Sequence, residues 1–239
     1  MKKLLILLIL NLTCCIIIFS GCNKENYNAP LANDVYDVNI LGDSVTADGI
    51  DYYKVRVSFK DTSMLKGNTS AVSFSSMPAV TINVVNSGKF DQSGNAYAEF
   101  SYNKSGEVNI SCTLNSLSKN EIITFYPSVA DLMTIKASPS VFSFNNKSYL
   151  TFDMTASFSK KNTGAISDYP TSFFQVEAMD TIGNSQGSFI NPSVDPVNHN
   201  LSISFFLQDS TFRGFLNLEA KCLSGSDTLV GSYSVFITK

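Results

Sequence analysis

The 239 residues carry 17 lysines and arginines against 20 aspartates and glutamates, a formal charge of −3 with one histidine and five cysteines. The basic residues are scattered along the chain, which gives no concentrated basic face to displace counterions from phosphates, so nucleic acid is excluded as the expected partner. A lone histidine and the lack of a phosphate loop remove the commonest metal and nucleotide chemistries, and the sequence as a whole reads as a non-enzyme with no cofactor.

The chain opens with Met1-Lys2-Lys3, an apolar run from Leu4 to Phe19, and then Ser20-Gly21-Cys22. A basic start, an apolar centre and small residues before a cut site are the parts of a secretory signal. The run is about 16 residues, short of the roughly 20 that cross a bilayer, so cleavage is the expected fate. Phe19-Ser20-Gly21-Cys22 resembles the lipobox of bacterial lipoproteins. That resemblance implies acylation of Cys22, palmitate among the chains, removal of residues 1–21, and attachment to the cell envelope at the outer membrane, on its surface or its periplasmic face. Two or more acyl chains hold a protein stably where one holds it marginally. Loss of the signal takes two lysines and no acid and leaves −5. Residues 22–33 are polar and broken by Pro30, and read as a lipidated tether.

Beyond the tether, short segments alternate apolar and polar residues. Tyr53, Val55, Val57 and Phe59 share one phase, as do Val108, Ile110, Cys112 and Leu114. Leu150, Phe152, Met154, Ala156 and Phe158 repeat the pattern, followed by Leu216, Leu218, Ala220 and Cys222. A period of two marks strands with one face buried and one wet. Many such strands, separated by Asn, Gly and Ser turns, predict an all-β chain of antiparallel β-sandwiches.

The segments also repeat. Phe59 and Phe158 end comparable strands 99 residues apart, and the same offset maps Gly88-Lys89-Phe90 onto Gly187-Ser188-Phe189. Gly106 to Ile110 maps onto Gly214 to Leu218 at an offset of 108. Two tandem antiparallel β-sandwiches after a lipoprotein signal peptide are therefore expected, the first over 34–127 and the second over 128–239, joined end to end at Pro127-Ser128. The loops Thr163 to Tyr169 and Asn191 to Asn200 are expected at the free tip.

In the first unit, Ala47-Asp48-Gly49, the strand to Lys60-Asp61, Gly88-Lys89-Phe90, Asp91 to Ala96, and Ser105 to Cys112 resemble the bacterial immunoglobulin-like domains of the invasin and intimin type. Phe90 stands where that family usually has Thr, and the Gly-x-Pro-Val segment is replaced by Ser- and Thr-rich sequence from Thr62 to Met77. The resemblance, carried to the second unit by the repeat, implies that both sandwiches are immunoglobulin-like and that the chain is an adhesion or binding module. The second unit has Asn146-Lys147-Ser148 in place of Ala-Asp-Gly.

Asp48-Gly49 and Ser93-Gly94 are tight-turn pairs. Asp43, Asp48, Asp51 and Asp91 are oxygen donors of the type calcium uses, but they lack the spacing of a calcium loop. Turn chemistry is the expected role and no metal site is assigned. Cys112 and Cys222 fall on the apolar face of comparable strands and are expected as buried free thiols. Tyr52, Tyr97, Phe174 and Phe206 fall out of phase with their inward neighbours or double up beside them. Exposed rings can stack on sugars or anchor a protein partner, and equally they mark bulges and edges. Tyr97 and Phe206 are the candidate ligand-binding residues. Asp43-Ser44-Val45, Asp180-Thr181-Ile182, Asp209-Ser210-Thr211 and Asp227-Thr228-Leu229 resemble the O-glycosylation signal of Bacteroidetes. The expected function is a lipid-anchored spacer or adhesion module whose partners are the membrane, through Cys22, and a surface protein or glycan. The alternative is a glycan-binding accessory lipoprotein of a nutrient-uptake system.

Overall fold

The computed structural model describes residues 31–61, 63 and 70–239. The signal, Cys22 and most of the tether lie outside the described residues, as does much of the Ser- and Thr-rich stretch after Asp61. The last two residues assigned to the tether, Ala32 and Asn33, begin a turn of helix, α1 (Ala32–Val35), whose Ala32 and Val35 pack against the first core.

Seven strands follow: β1 (Tyr36–Leu41), β2 (Tyr53–Phe59), β3 (Val72–Met77), β4 (Thr81–Val84), β5 (Asn95–Ser101), β6 (Gly106–Leu114) and β7 (Leu117–Phe125). They form a four-stranded sheet in the order β1-β2-β5-β4 and a three-stranded sheet in the order β3-β6-β7. Read as A to G, this is ABED against CFG, the constant-type immunoglobulin sandwich. Alternation in the sequence decides which face is inside. Tyr53, Val55, Val57 and Phe59 point inward from β2, and Val108, Ile110, Cys112 and Leu114 meet them from β6. Tyr36 crosses between the two sheets, its hydroxyl donating to the carbonyls of Cys112 (2.8 Å) and Leu117 (3.0 Å).

Eight strands make up the rest: β8 (Leu132–Ala137), β9 (Val141–Ser143), β10 (Leu150–Ser159), β11 (Phe173–Met179), β12 (Ser188–Val194), β13 (Leu201–Leu207), β14 (Gly214–Ser224) and β15 (Asp227–Thr238). One sheet runs β12-β13-β10-β8 and the other β11-β14-β15-β9. This is the same plan with the first strand split in two: β8 pairs with β10, then the chain crosses to the other sheet, where β9 pairs in parallel with the end of β15. No sheet mixes strands from before and after Pro127. The buried apolar side chains likewise form two groups, Tyr36 to Phe125 and Ala130 to Ile237.

The repeat holds at both ends and fails in the middle. Phe59 and Phe158 lie on equivalent strands, and Gly106 and Gly214 each begin the strand at position F of their sandwich, β6 and β14. Gly88 and Gly187 are not equivalent. The first lies between β4 and β5, the second between β11 and β12, one strand earlier in the plan. The true counterpart of the Asp91 turn is the Asp195 turn: each aspartate accepts main-chain N–H bonds from residues just beyond it, and each donates its own N–H to the residue that closes the turn.

Candidate functional site

Register fixes which loops meet and which are free. β8 begins beside the end of β10, with Leu132 opposite Ser159, and β13 begins there too, with Leu201 opposite Ala156. The link from the first sandwich arrives at the start of β8, so the loop after β10 and the loop before β13 lie at the joint. Thr163 to Tyr169 and Asn191 to Asn200 are therefore not at the free tip. Asn191 to Val194 belong to β12, and the turn from Asp195 to Asn200 faces the joint, where His199 stacks on Tyr169 at 4.2 Å.

The joint itself is closely bonded. Ser128, 1% exposed, donates its N–H to Ser167 Oγ (2.8 Å) and its hydroxyl to the Ala165 carbonyl (2.8 Å). Its hydroxyl accepts from Lys160 Nζ (2.8 Å), and its carbonyl accepts from the N–H groups of Ser167 and Asp168. From the other side, the Asp48 carbonyl accepts the Ala165 N–H at 2.7 Å, while Asp48 Oδ1 caps the N–H groups of Ile50 and Asp51. Ala47 and Gly49 bond Tyr126 and Tyr102. The Ala-Asp-Gly turn thus ties the end of the first sandwich to the second. Ser128→Ala is expected to cost about 1–3 kcal/mol, because it strips a partner from the half-buried Ala165 carbonyl and from the Lys160 ammonium. It should also widen the spread of maximum dimensions in small-angle X-ray scattering; an unchanged profile would show that the joint is held elsewhere.

The sequence-predicted aromatics are placed apart. Tyr97 lies on the outer face of β5, opposite Arg56 on β2, with the Lys54 ammonium 5.0 Å over its ring. Phe206 lies on the outer face of β13, opposite Thr151 and Ser188, and its ring sits 5.5 Å from Tyr149. The structure does not bring Tyr97 and Phe206 together. Phe174 marks a break of register between Phe173 and Gln175, the bulge that such a doublet signals. Tyr149 was missed because it stands outside any alternating run.

The far end of the second sandwich is opposite the joint. Leu150 faces Leu207 there, so the loop before β10 and the loop after β13 converge. Between them lies an open cleft of about 410 Å3, lined by Phe144, Lys147, Ser148, Ser210, Arg213 and Lys239. Beyond its lining, Tyr149 and Phe206 are in contact on the outer side of the β13 sheet. On the outer face of the β14 sheet, Phe215, Phe236 and Val141 are cross-strand neighbours in one row and 55%, 37% and 52% exposed.

The remaining reactive groups are accounted for by burial and turns. Cys112 and Cys222 are buried free thiols, one in each core. Burial pushes Cys112 up to about 12, with the Glu121 charge adding to it, and pushes Cys222 up to about 11. Both should resist alkylation at pH 8 until the chain is unfolded, and rapid labelling of the native protein would contradict their burial. The raised values also set an alkaline limit. Folded stability from these thiols is complete below the unfolded thiol range and falls as the pH climbs from about 9 towards 11 and 12, where only the unfolded chain releases the protons. One Gly-x-Ser-x-Gly spacing, Gly183 to Gly187, is present in the sequence. It forms the turn between β11 and β12, with Asp180 bonding Ile182 and Asn184. A nucleophile elbow needs a strand-to-helix turn, and this one joins two strands. Among the described residues, no three His, Cys, Asp or Glu side chains are grouped to hold a metal. Ser44, Thr181, Ser210 and Thr228 of the four Asp-Ser/Thr triplets are all exposed.

No protein-family model matches this sequence, and no curated protein matches it. Solved structures with a similar fold include the Yersinia pseudotuberculosis adhesin InvE, at 15% identity and a TM-score of 0.46 over 87% of this chain and 61% of that one. Invasin, a bacterial integrin-binding protein, is similar at 13% identity and a TM-score of 0.42, over 87% of this chain and 40% of invasin. The D00-D0 domain of intimin is similar at 13% identity and a TM-score of 0.37, over 86% of this chain and 100% of that domain. This chain spans 61% and 40% of the InvE and invasin structures. Similarity this distant carries no ligand and no role across.

Proposed function

We propose that this chain is a lipid-anchored, non-enzymatic binding module of the bacterial cell surface, fastened to the outer membrane through Cys22 and presenting the far end of its second sandwich to a partner. The sandwiches are two consecutive domains meeting at Pro127-Ser128. The observation that carries the reading is the contrast between the ends of the second sandwich. One end is taken up by the joint, with Ser128 fully bonded. The other carries an open cleft and, on the outer sides of the two sheets near it, two pairs of rings of which Tyr149, Phe215 and Phe236 are exposed, and exposed rings of this kind anchor partners. The N-terminal end is the tethered one, since α1 and the start of β1 lie away from the joint. Such a chain is a spacer with its recognition surface outermost.

Protease added to intact cells should digest the protein to the same extent as in broken cells. Protection until lysis would overturn the surface assignment. Separately, Cys22→Ser should abolish incorporation of labelled palmitate and leave the precursor uncut; continued labelling would place the lipid on another residue.

A further inference from the structure

We propose that the cleft at the far end of the second sandwich binds an acidic saccharide, a sugar chain bearing carboxylates or sulfates. This rests on that end being the recognition surface and names the chemistry of what it takes.

Three cations far apart in the sequence line the cleft: Lys147 before β10, Arg213 before β14 and Lys239 after β15. Among the described residues none of the three is in an ion pair. Asp209, the acid on the Arg213 loop, accepts the Thr211 hydroxyl (2.6 Å) and N–H (2.9 Å), which hold its carboxyl below the usual range; the Arg213 charge lowers it further, so Asp209 offsets part of that cation. Asp209 and the terminal carboxylate of Lys239, which accepts the Ser143 hydroxyl, offset part of this charge and leave the cleft a net positive excess, in a chain that otherwise carries an excess of acids.

Arg213 is also held in place. Its Nη1 donates to the carbonyls of Ser210 (2.8 Å) and Phe212, and its guanidinium lies 5.2 Å over the ring of the buried Phe144. Nη2 and Nε bond no described residue, which leaves two parallel N–H directions for a carboxylate or sulfate. A guanidinium fixed in advance loses less freedom on binding than a free one.

The rest of the cleft suits a sugar rather than a bare anion. Ser148 and Ser210 supply hydroxyls that can meet sugar hydroxyls, and the volume is that of a small-ligand site. The neighbouring rings lie beyond the lining of the cleft: Tyr149 and Phe206 on the outer side of one sheet and Phe215 and Phe236 on the outer face of the other, each pair in ring contact at 5.5 and 4.9 Å. A sugar chain longer than the cleft can run over either edge and stack the C–H surfaces of its further sugars on one of these pairs.

The test uses the full chain in detergent and four immobilised polymers: polygalacturonate, dextran sulfate, neutral dextran and polyglutamate. Binding to the two acidic saccharides is expected, with little to neutral dextran and weaker binding to polyglutamate. Lys147→Glu and Arg213→Ala should each weaken polygalacturonate binding roughly tenfold or more, and Phe236→Ser should weaken it as well. Lys89→Glu in the first sandwich should leave it unchanged. Lys147 and Lys239 are exposed, so Lys147→Glu and Lys239→Glu keep the test valid if Arg213→Ala loses its fold, as judged by melting temperature. Binding unaffected by the lysine variants overturns the proposal, and so does polyglutamate binding as tight as polygalacturonate, which would make the site one for acidic peptide. Failure here with digestion on intact cells sinks only the ligand class. Protection of the cells with saccharide binding intact sinks only the surface assignment.

Discussion

Phe205→Ala is expected to lower the melting transition of the second sandwich while leaving that of the first in place, at a cost of about 3–5 kcal/mol. Phe205 is fully buried, and its ring lies 4.9 Å from Phe152 and 5.0 Å from Phe189, so truncation opens a cavity among rings that cannot collapse into it. Phe100 holds the matching place on β5, fully buried and 6.2 Å from Phe74, and Phe100→Ala should lower the other transition instead. Calorimetry of both variants reads the result. The two apolar groups share no residue, and the pair of experiments asks whether they are also two cooperative units. A single transition that falls with either substitution would show that the joint couples them into one.

Gly88→Ala should destabilise the first sandwich by about 3 kcal/mol or more, from two sources that a control separates. Gly88 has a φ of +75°, and a Cβ placed there would lie 2.2 Å from the carbonyl oxygen of Val72, an atom of the backbone that cannot swing away. Gly42 also has a positive φ, +115°, but open space around it. Gly42→Ala should therefore show the conformational cost alone, about 1–2 kcal/mol. Equal effects at the two positions would mean that β3 yields to the added methyl. Denaturant midpoints measured at constant slope give both values.

What the sequence showed and what it hid divide along a physical line. A period of two is local, and β2, β6, β10 and β14 are where alternation places them, with the same residues facing in. Turn chemistry is local as well: Asp48 and Asp91 cap N–H groups within their own turns, as short aspartates beside glycine do. Burial of Cys112 and Cys222 followed from their phase. The misplacement of Gly187 came from matching Gly-x-Phe by spacing alone, without counting strands between.

The free tip was mislocated for a different reason. The end at which a loop emerges depends on how many strands precede it and on which end the link enters, and neither is a property of the loop. Once Leu132 is seen opposite Ser159, Thr163 to Tyr169 must lie at the joint. The cationic cleft was hidden most deeply. Basic residues that look scattered along the chain include Lys147, Arg213 and Lys239, which converge only because β9 crosses to the second sheet and runs alongside the end of β15. Composition cannot report a convergence made by topology.

A chain made from its N-terminus meets the bonds of the joint in a fixed order. The first core is complete at Phe125 and asks nothing of later residues, so that sandwich can close while the remainder is still being made. Ser128 emerges next, but its partners, Lys160 to Asp168, arrive about thirty residues later. During that interval the finished half swings freely on an unbonded link. Orientation is thus acquired only after the first core is complete and β10 has been laid down beside β8, and a chain cut short before then would hold a finished sandwich with no fixed direction.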